Sequence, residues 1–254
     1  MQFEGGLENP VAKRARGNPM PPQGSDAWFE QRRDKVTASN LGALLGFCKH
    51  TSRETAVLRA QGRDPFQGNE ATRWGQAQEA EAIEAYKHLT GHGVACTGAH
   101  THAVYDWFLG SPDGLVQTDG LVEIKCPFYH RKMPNGTTQR VHNEIPDHYL
   151  MQCLALLEVT DRAWCDFVSW SPEGMVAYRV YAAPHLMKLL IPLAKEMHDY
   201  IVGKRQTMPE CQKDSSCVRA AMAQAKHKVN KQYWAHVTPG LEQLTPPPSP
   251  TSPS

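Results

Sequence analysis

The chain has 254 residues, of which 41% are hydrophobic and 21% charged, a composition typical of globular proteins. Its mean hydropathy is -0.51; no apolar run approaches the roughly 20 residues that span a bilayer, so we expect neither a membrane span nor a secretion signal. The net charge of +1 neither requires nor excludes a polyanionic partner, and any basic surface must arise from local clustering.

The two ends of the chain differ in composition from the rest. Residues 1–24 are rich in Gly and Pro and contain the basic run 13–16, which predicts a flexible basic arm. Residues 238–254 are rich in Pro, Ser and Thr, which predicts a disordered tail. Between them we expect one enzyme-sized domain over 25–205 and a basic, helical extension over 206–237.

Helices dominate the first third of the domain. Ser25 or Asp26, Thr37 or Ser39, and Ser52 are suited to cap the starts of three of them. A longer helix is predicted over 69–89, where apolar residues recur at helical spacing and a glycine follows.

Short strands rich in β-branched and aromatic residues are predicted in the middle of the chain, at 94–97, 103–108, 115–117 and 121–125. They are followed by a helix over 146–159, a strand pair at 164–170 and 175–181, a helix over 184–201 and a basic helix over 211–233. Helices packed on a sheet of this kind predict an α/β fold with a mixed central sheet flanked by helices.

The strongest local motif is S-P-D-G at 111–114, followed by E-I-K-C-P at 123–127. Alternation along a strand places Glu123 and Lys125 on one face, and a tight turn at 119–120 returns Glu123 towards Asp113. Two close carboxylates favour a hard divalent cation, and a neighbouring lysine can help to deprotonate a water or stabilise charge on a phosphate. The motif therefore indicates phosphodiester hydrolysis, with an exposed Glu–Lys pair on a hairpin as the alternative.

Glu79 lies on the predicted long helix, in line with Gly75, Ala82, Ile83 and Tyr86. A carboxylate on such a small and apolar face is costly unless a partner compensates it. A metal ion shared with the two carboxylates of the strand motif would do so. The alternatives are a Glu79 side chain that reaches solvent or pairs with an arginine.

Five elements in order give the sequence a resemblance to the lambda exonuclease / YqaJ family of viral recombination nucleases, within the PD-(D/E)xK superfamily. They are W-x3-R-x4-T-A-S (Trp28, Arg32, Thr37, Ala38, Ser39), W-G-x3-E (Trp74, Gly75, Glu79), S-P-D-G (111–114), E-h-K-C-P (123–127, where h is hydrophobic) and Y-x2-Q (Tyr149, Gln152). The similarity covers about residues 26–201, whereas the basic and Pro-rich C-terminal segments lie outside it. The family's second glutamine position is Leu154 here.

The resemblance implies a restriction-endonuclease-like core and a role for each matched residue. One or two Mg2+ ions, with Mn2+ as a substitute, would be held by Asp113, Glu123, the Ile124 carbonyl and Glu79. Lys125 would be the catalytic lysine, and Gln152 would position the attacked phosphate. Arg32 and Ser39 would hold a 5′-terminal phosphate, which suits the bidentate guanidinium.

The implied activity is 5′-to-3′ exonuclease digestion of double-stranded DNA ends, which yields 5′-mononucleotides and a 3′ single strand for recombination. An endonuclease of restriction or junction-cleaving type and a catalytically weak DNA-end-binding scaffold are the alternatives. The implied partners are DNA ends and a single-strand annealing protein, in the cytoplasm or nucleus of a virus-infected cell. The seven cysteines, without a C-x-x-C pair, agree with an intracellular protein. The oligomeric state stays open, because related nucleases include trimers and monomers.

Other sets of residues have structural interpretations that we prefer. A histidine-rich stretch suggests zinc, but its spacing favours exposed side chains over ligands; its members are His88, His92, Cys96, His100 and His102. Buried packing is preferred to a nucleophile role for Cys126 and Cys153. Trp28, Phe128 and Tyr129 can stack on bases, although Trp28 is predicted to be a core residue.

Overall fold

The computed structural model describes residues 21, 25–64, 68–128, 131–132, 138–139, 141–172, 174–211 and 213–235. The predicted basic arm over 1–24, apart from residue 21, and the predicted tail over 238–254 lie outside the described residues, as does Tyr129. Among the described helices, none is long and apolar enough to cross a membrane.

Helices come first in the described chain and flank the strands that follow. They are α1 (Asp26–Arg32), α2 (Ala38–Leu44), α3 (Arg53–Ala60), α4 (Glu70–Thr90), α5 (Asp147–Thr160), α6 (Pro184–Ile201) and α7 (Ser216–His227). The strands are β1 (Val36–Thr37), β2 (Val94–Ala95), β3 (His100–Thr101), β4 (Phe108–Gly110), β5 (Gly114–Val116), β6 (Gly120–Lys125), β7 (Arg131–Lys132), β8 (Thr138–Gln139), β9 (Trp164–Ser171), β10 (Gly174–Tyr181) and β11 (Asn230–Ala235).

The central sheet has the strand order β11-β10-β9-β6-β5-β2. Its β6 and β9 run parallel, whereas its other neighbouring strands are antiparallel. A second sheet, β1-β4-β3, also combines a parallel and an antiparallel pair, and β7 and β8 pair separately. The predicted α/β architecture with a mixed central sheet is confirmed.

Both faces of the central sheet are buried, and β6 contributes to each in turn. Leu121 packs into the larger core, with the buried residues of α2, α5 and α6. Val122 and Ile124 pack into the smaller core, against α4. Because side chains alternate along a strand, Glu123 and Lys125 lie on the Leu121 face, towards α5.

The predicted helix starts in the first third are confirmed by their caps. Backbone N–H groups donate to the side chains of Ser25, Thr37, Ser52 and Asn69, each at the first position before its helix. Gly91 ends α4 with a φ of 70°, a left-handed conformation that glycine adopts without steric cost.

A buried polar network ties α4 to the sheet. The Tyr86 hydroxyl donates to Asp166 Oδ2 over 2.7 Å, and Arg179 donates two hydrogen bonds of 2.8 Å to the same carboxylate. This network lies about two helical turns beyond Glu79, and it fixes the position of the helix that carries Glu79.

The strand predicted over 103–108 is wrong. Residues 103–107 form a turn instead, and the flanking strands are β3 and β4. The turn is stabilised by the His102 ring, whose Nδ1 accepts the backbone N–H groups of Val104 and Tyr105. Val104 is 75% exposed, so its β-branched side chain does not mark a packed strand.

The prediction of a helix over 211–233 is correct only for the middle of that range, where α7 lies. The structure has α7 followed by β11, which pairs antiparallel with β10 and continues the central sheet. Val218 and Met222 of α7 are buried in the larger core, and Arg53 donates to the Pro209 carbonyl over 2.6 Å. The predicted domain boundary at residue 205 therefore precedes two elements that pack on the domain.

Candidate active site

A cavity of about 190 Å³ lies where α1, α2, α4, α5, β6 and the loop between β4 and β5 approach one another. The seven side chains predicted as site residues line it: Arg32, Ser39, Glu79, Asp113, Glu123, Lys125 and Gln152. The other lining residues are Trp28, Ala38, Ser111 and Ile124. Residues from six segments of the chain are thus gathered around one small volume.

Asp113 is placed by the β5–β6 hairpin. Gly114 pairs with Val122, so Ile124 lies beyond the end of β5 and has no residue of that strand opposite it. The Ile124 N–H instead donates to Asp113 Oδ2 over 2.6 Å. Both backbone groups of a strand residue point to the same side, so the Ile124 carbonyl is also directed to the side of Asp113.

Glu123 is the most buried of the carboxylates, with 1% of its surface exposed. Its Oε1 accepts from Lys125 Nζ and from Gln152 Nε2, both over 2.5 Å. Its Oε2 is buried and has no hydrogen-bond partner among the described residues. Because an unpaired buried carboxylate oxygen is costly, this atom is suited to a ligand that supplies positive charge.

The surroundings of the three carboxylates shift their titration towards the protonated form. Burial, reinforced by the charges of Asp113 and Glu79, raises the pKa of Glu123 to about 8. Burial also raises the pKa of Asp113, and burial together with the Asp113 charge raises the pKa of Glu79. Burial lowers the pKa of Lys125, but the charges of Glu123 and Asp113 outweigh it, so the net shift is upward and Lys125 is a cation.

These donors fit a hard divalent ion by type, because Mg2+ prefers carboxylate and carbonyl oxygens. The unpaired Glu123 Oε2 and the raised pKa values of three neighbouring carboxylates agree with that fit. Within the described part of the chain, no three His, Cys, Asp or Glu side chains are grouped closely enough to hold an ion as they stand.

Arg32 and Ser39 form a cationic subsite in the same cavity. The Arg32 Nη2 donates to Ser39 Oγ over 2.7 Å, and the guanidinium carbon lies 4.1 Å from the centre of the Trp28 ring. Burial lowers the pKa of Arg32 to about 10, while the Glu123 charge opposes that shift. Arg32 is therefore charged at neutral pH and close enough to Glu123 to sense its charge.

Three further residues contribute to the site without having been predicted as site residues. Ser111 Oγ and Trp28 Nε1 are buried in the cavity wall and have no hydrogen-bond partner among the described residues. The Tyr149 ring lies 5.3 Å from Lys125 Nζ and stacks on Phe167. Each belongs to or adjoins a motif of the sequence, which is the signal that could have identified it. Trp28 was predicted as a core residue, but it is half-buried and lines the cavity.

The structure also bears on the other sets of residues singled out in the sequence. Burial raises the pKa of Cys126 to about 12, which disfavours its thiolate, and Cys153 is buried, as the packing interpretation expects. Three histidines of the suspected zinc stretch have other partners: His92 contacts Gln117, His100 contacts Thr97 and His102 contacts Glu158. These contacts agree with the absence of a metal cluster in the described ranges.

A larger cavity of about 350 Å³ lies between α3 and the end of α6. Glu54 is the only acidic residue in its lining, and none of the predicted site residues reaches it. A single exposed carboxylate cannot provide the paired acid and base groups of hydrolysis, so the smaller cavity is the candidate active site.

The model of the YqaJ-like viral recombinase domain matches residues 27–163. The crystal structure of an alkaline exonuclease from Laribacter hongkongensis is similar at 26% identity and a TM-score of 0.55, over 80% of this chain and 97% of that one. Its complex with dAMP matches at 25% identity with the same TM-score and coverage. Comparison with curated proteins gives no match.

A phage-related exonuclease from Haemophilus somnus 129PT is similar at 16% identity and a TM-score of 0.48. That match covers 67% of this chain and 96% of the other.

Proposed function

This chain belongs to the YqaJ-like viral recombinase domain family, and from that membership we propose that it is a divalent-metal-dependent exonuclease that digests double-stranded DNA from the 5′ end. The family and the alkaline exonuclease neighbours identify it as a nuclease that acts on DNA. Nucleases of this family generally use divalent metal ions. The observation that carries the proposal is a single cavity in which three carboxylates and Lys125 lie next to the cationic subsite of Arg32 and Ser39.

Asp113, Glu123, Glu79 and the Ile124 carbonyl are the groups that would hold Mg2+, or Mn2+ in its place, as one or two ions. A bound ion would supply Lewis-acid stabilisation of the phosphate and a water of lowered pKa. The unpaired Oε2 of Glu123 is the atom of this set that would gain a partner from a bound cation.

Lys125 and Gln152 complete the chemistry with their hydrogen-bond donors. Lys125 remains protonated because two carboxylates surround it, so it acts through its charge on the negative charge that develops at the phosphate. Gln152 Nε2 donates to Glu123 and so orients that carboxylate. Because Gln152 lies next to the carboxylates, we expect it also to contact the attacked phosphate.

The size and lining of the cavity favour a DNA end over an internal site. Its volume of about 190 Å³ is below the roughly 300–1,000 Å³ of sites that enclose a whole small molecule. We expect a terminal phosphate to bind beside Arg32 and Ser39 and the next phosphate to reach the carboxylates, an order that would give 5′-to-3′ polarity. An endonuclease needs an open groove for a continuous duplex, and a scaffold without turnover has no need of the Glu123 and Lys125 pair.

The products formed from end-labelled linear duplex test this function. With Mg2+ we expect 5′-mononucleotides and a growing 3′ single strand, whereas a covalently closed circle stays intact. A chelator should stop digestion, and Mn2+ should restore it. Internal fragments, or nicking of the circle, would instead establish the endonuclease, and DNA binding without cleavage would establish the scaffold.

Metal binding by this site should depend on pH. Because Glu123 has a pKa raised to about 8, protons compete with the cation below that pH. We therefore expect the affinity for Mg2+ to increase between about pH 6 and 9, with release of a proton on binding. Calorimetry in two buffers of different ionisation enthalpy measures both quantities without reference to activity. An affinity that does not change over this range, with no proton released, would contradict the assignment of Glu123 as a ligand.

A further inference from the structure

Helix α1 exposes an aromatic side chain beside the cavity. The helix has no buried residue, and Phe29 is 59% exposed. The Phe29 ring meets the Trp28 ring edge to face, with 5.0 Å between centroids and 82° between planes. Trp28 in turn lines the cavity, so the aromatic pair extends from the cavity wall into solvent.

The aromatic pair is held in place by the ends of the helix. Ser25 caps α1: its Oγ accepts the N–H of Trp28 over 3.2 Å, and its carbonyl accepts the N–H of Phe29 over 3.0 Å. One turn later, Arg32 stacks on Trp28 and donates to Ser39. The phosphate subsite and the exposed Phe29 ring are therefore parts of one fixed unit.

We expect a nucleotide bound in this cavity to have its phosphate inside and its base outside. The volume of about 190 Å³ is below that of sites that enclose a whole small molecule. The base would then lie at the rim, where α1 carries Arg32. A solvent-exposed aromatic ring offers a face on which an unpaired base can stack, whatever the identity of that base.

We propose that Phe29, supported by Trp28, is a stacking subsite for the base of the 5′-terminal nucleotide. The proposal rests on the function proposed above, because it requires a 5′ nucleotide with its phosphate at Arg32. The subsite recognises the π face of the base and not its edges, so it is independent of sequence. It stabilises the terminal nucleotide after the base has left its partner strand.

Kinetics with 5′ ends that carry or lack the terminal base test the role of the ring. On a fully paired 5′-phosphorylated duplex, we expect Phe29→Ala to lower kcat/KM by about 5- to 150-fold, the size of effect that stacking on one base supplies. On a duplex whose 5′-terminal nucleotide is abasic, Phe29→Ala should have little effect, because no base is present to stack on the ring. Phe29→Tyr keeps the ring and should retain most of the activity.

Tyr181→Ala is the matched control. Tyr181 is also exposed, at 45%, but it pairs with Trp164 at the end of the sheet away from Lys125. Its removal should leave digestion of both substrates unchanged. An equal loss for Phe29→Ala on base-bearing and abasic ends, or no loss on either, would overturn the stacking role.

Photo-crosslinking tests the contact directly in the unaltered protein. A duplex with 5-iodouracil at its 5′-terminal nucleotide, bound without divalent ion and irradiated, should give a cross-linked peptide that contains Phe29. The same base placed ten pairs from the end should not. A terminal cross-link confined to peptides outside α1 would overturn the proposal while the exonuclease function stands. If the unaltered protein neither binds nor digests DNA ends, the proposed function itself fails.

Discussion

Replacement of Asp113 by Asn, or of Glu123 by Gln, is expected to lower the rate of DNA cleavage by at least about 100-fold, as the loss of several kcal/mol of charge stabilisation implies. Both changes remove a negative charge with little change of shape. Without it, the cavity keeps Lys125 and Arg32 but loses the means to concentrate a divalent cation beside the phosphate. Binding of duplex should stay close to that of the unaltered protein, because the cations that attract phosphate remain.

Stability should be retained in the same variants. Because burial raises the pKa of Glu123 from 4.5 to about 8, this carboxyl group costs stability as the pH rises between those two values, and a neutral amide avoids that cost. Thermal unfolding without divalent ions checks this expectation. Glu84→Gln, on the exposed side of α4, is the matched control and should cleave normally. Activity above about a hundredth of the control in either site variant would contradict the metal assignment.

Much of the fold could be predicted because its signals are local. Ser25, Thr37 and Asn69 satisfy the first free N–H groups of their helices, and Gly91 ends one in a left-handed conformation. These contacts span a few residues and leave a trace in the sequence. The common face of Glu123 and Lys125 is equally local, because it follows from strand alternation alone.

The errors arise where distant or unusual contacts decide the structure. The β-branched and aromatic residues near Val104 form a turn because the His102 ring accepts hydrogen bonds from two backbone N–H groups there. Strand β11 depends on β10, which lies about fifty positions earlier, and no local pattern separates it from the helix that precedes it. Trp28 was predicted as a core residue because the sequence shows that it is apolar. The cavity beside it forms only where six segments of the folded chain meet, and no local pattern reveals that meeting.

In the candidate site too, the contacts within one hairpin could be predicted, whereas those between distant elements could not. The hairpin spacing predicts that Asp113 returns to β6, where its carboxylate accepts the Ile124 N–H. The hydrogen bond from Gln152 to Glu123 joins residues 29 positions apart, through the packing of α5 on the sheet. Only the family resemblance placed Gln152 in the site, because spacing cannot predict such a contact.

Replacement of Arg32 by Ala is expected to slow the digestion of 5′-phosphorylated duplex by about 10- to 150-fold, the range that corresponds to a charge-assisted hydrogen bond of about 1.5–3 kcal/mol. Digestion of 5′-hydroxyl duplex should slow much less, because that end lacks the anion that the guanidinium binds. The Arg32 pKa of about 10 keeps the side chain charged below that pH, so the preference for a phosphate should persist over the neutral and mildly alkaline range and decline as the pH approaches 10.

Arg33→Ala is the matched control for this charge. Arg33 follows Arg32 directly but pairs with Glu30, and its side chain is 53% exposed, so its loss should affect both substrates little. Arg32→Lys keeps a charge without the two-pronged geometry of the guanidinium and should fall between Arg32→Ala and the unaltered protein. If Arg32→Ala slows both substrates equally, Arg32 serves folding or general backbone binding, and the 5′-phosphate subsite is not at this position.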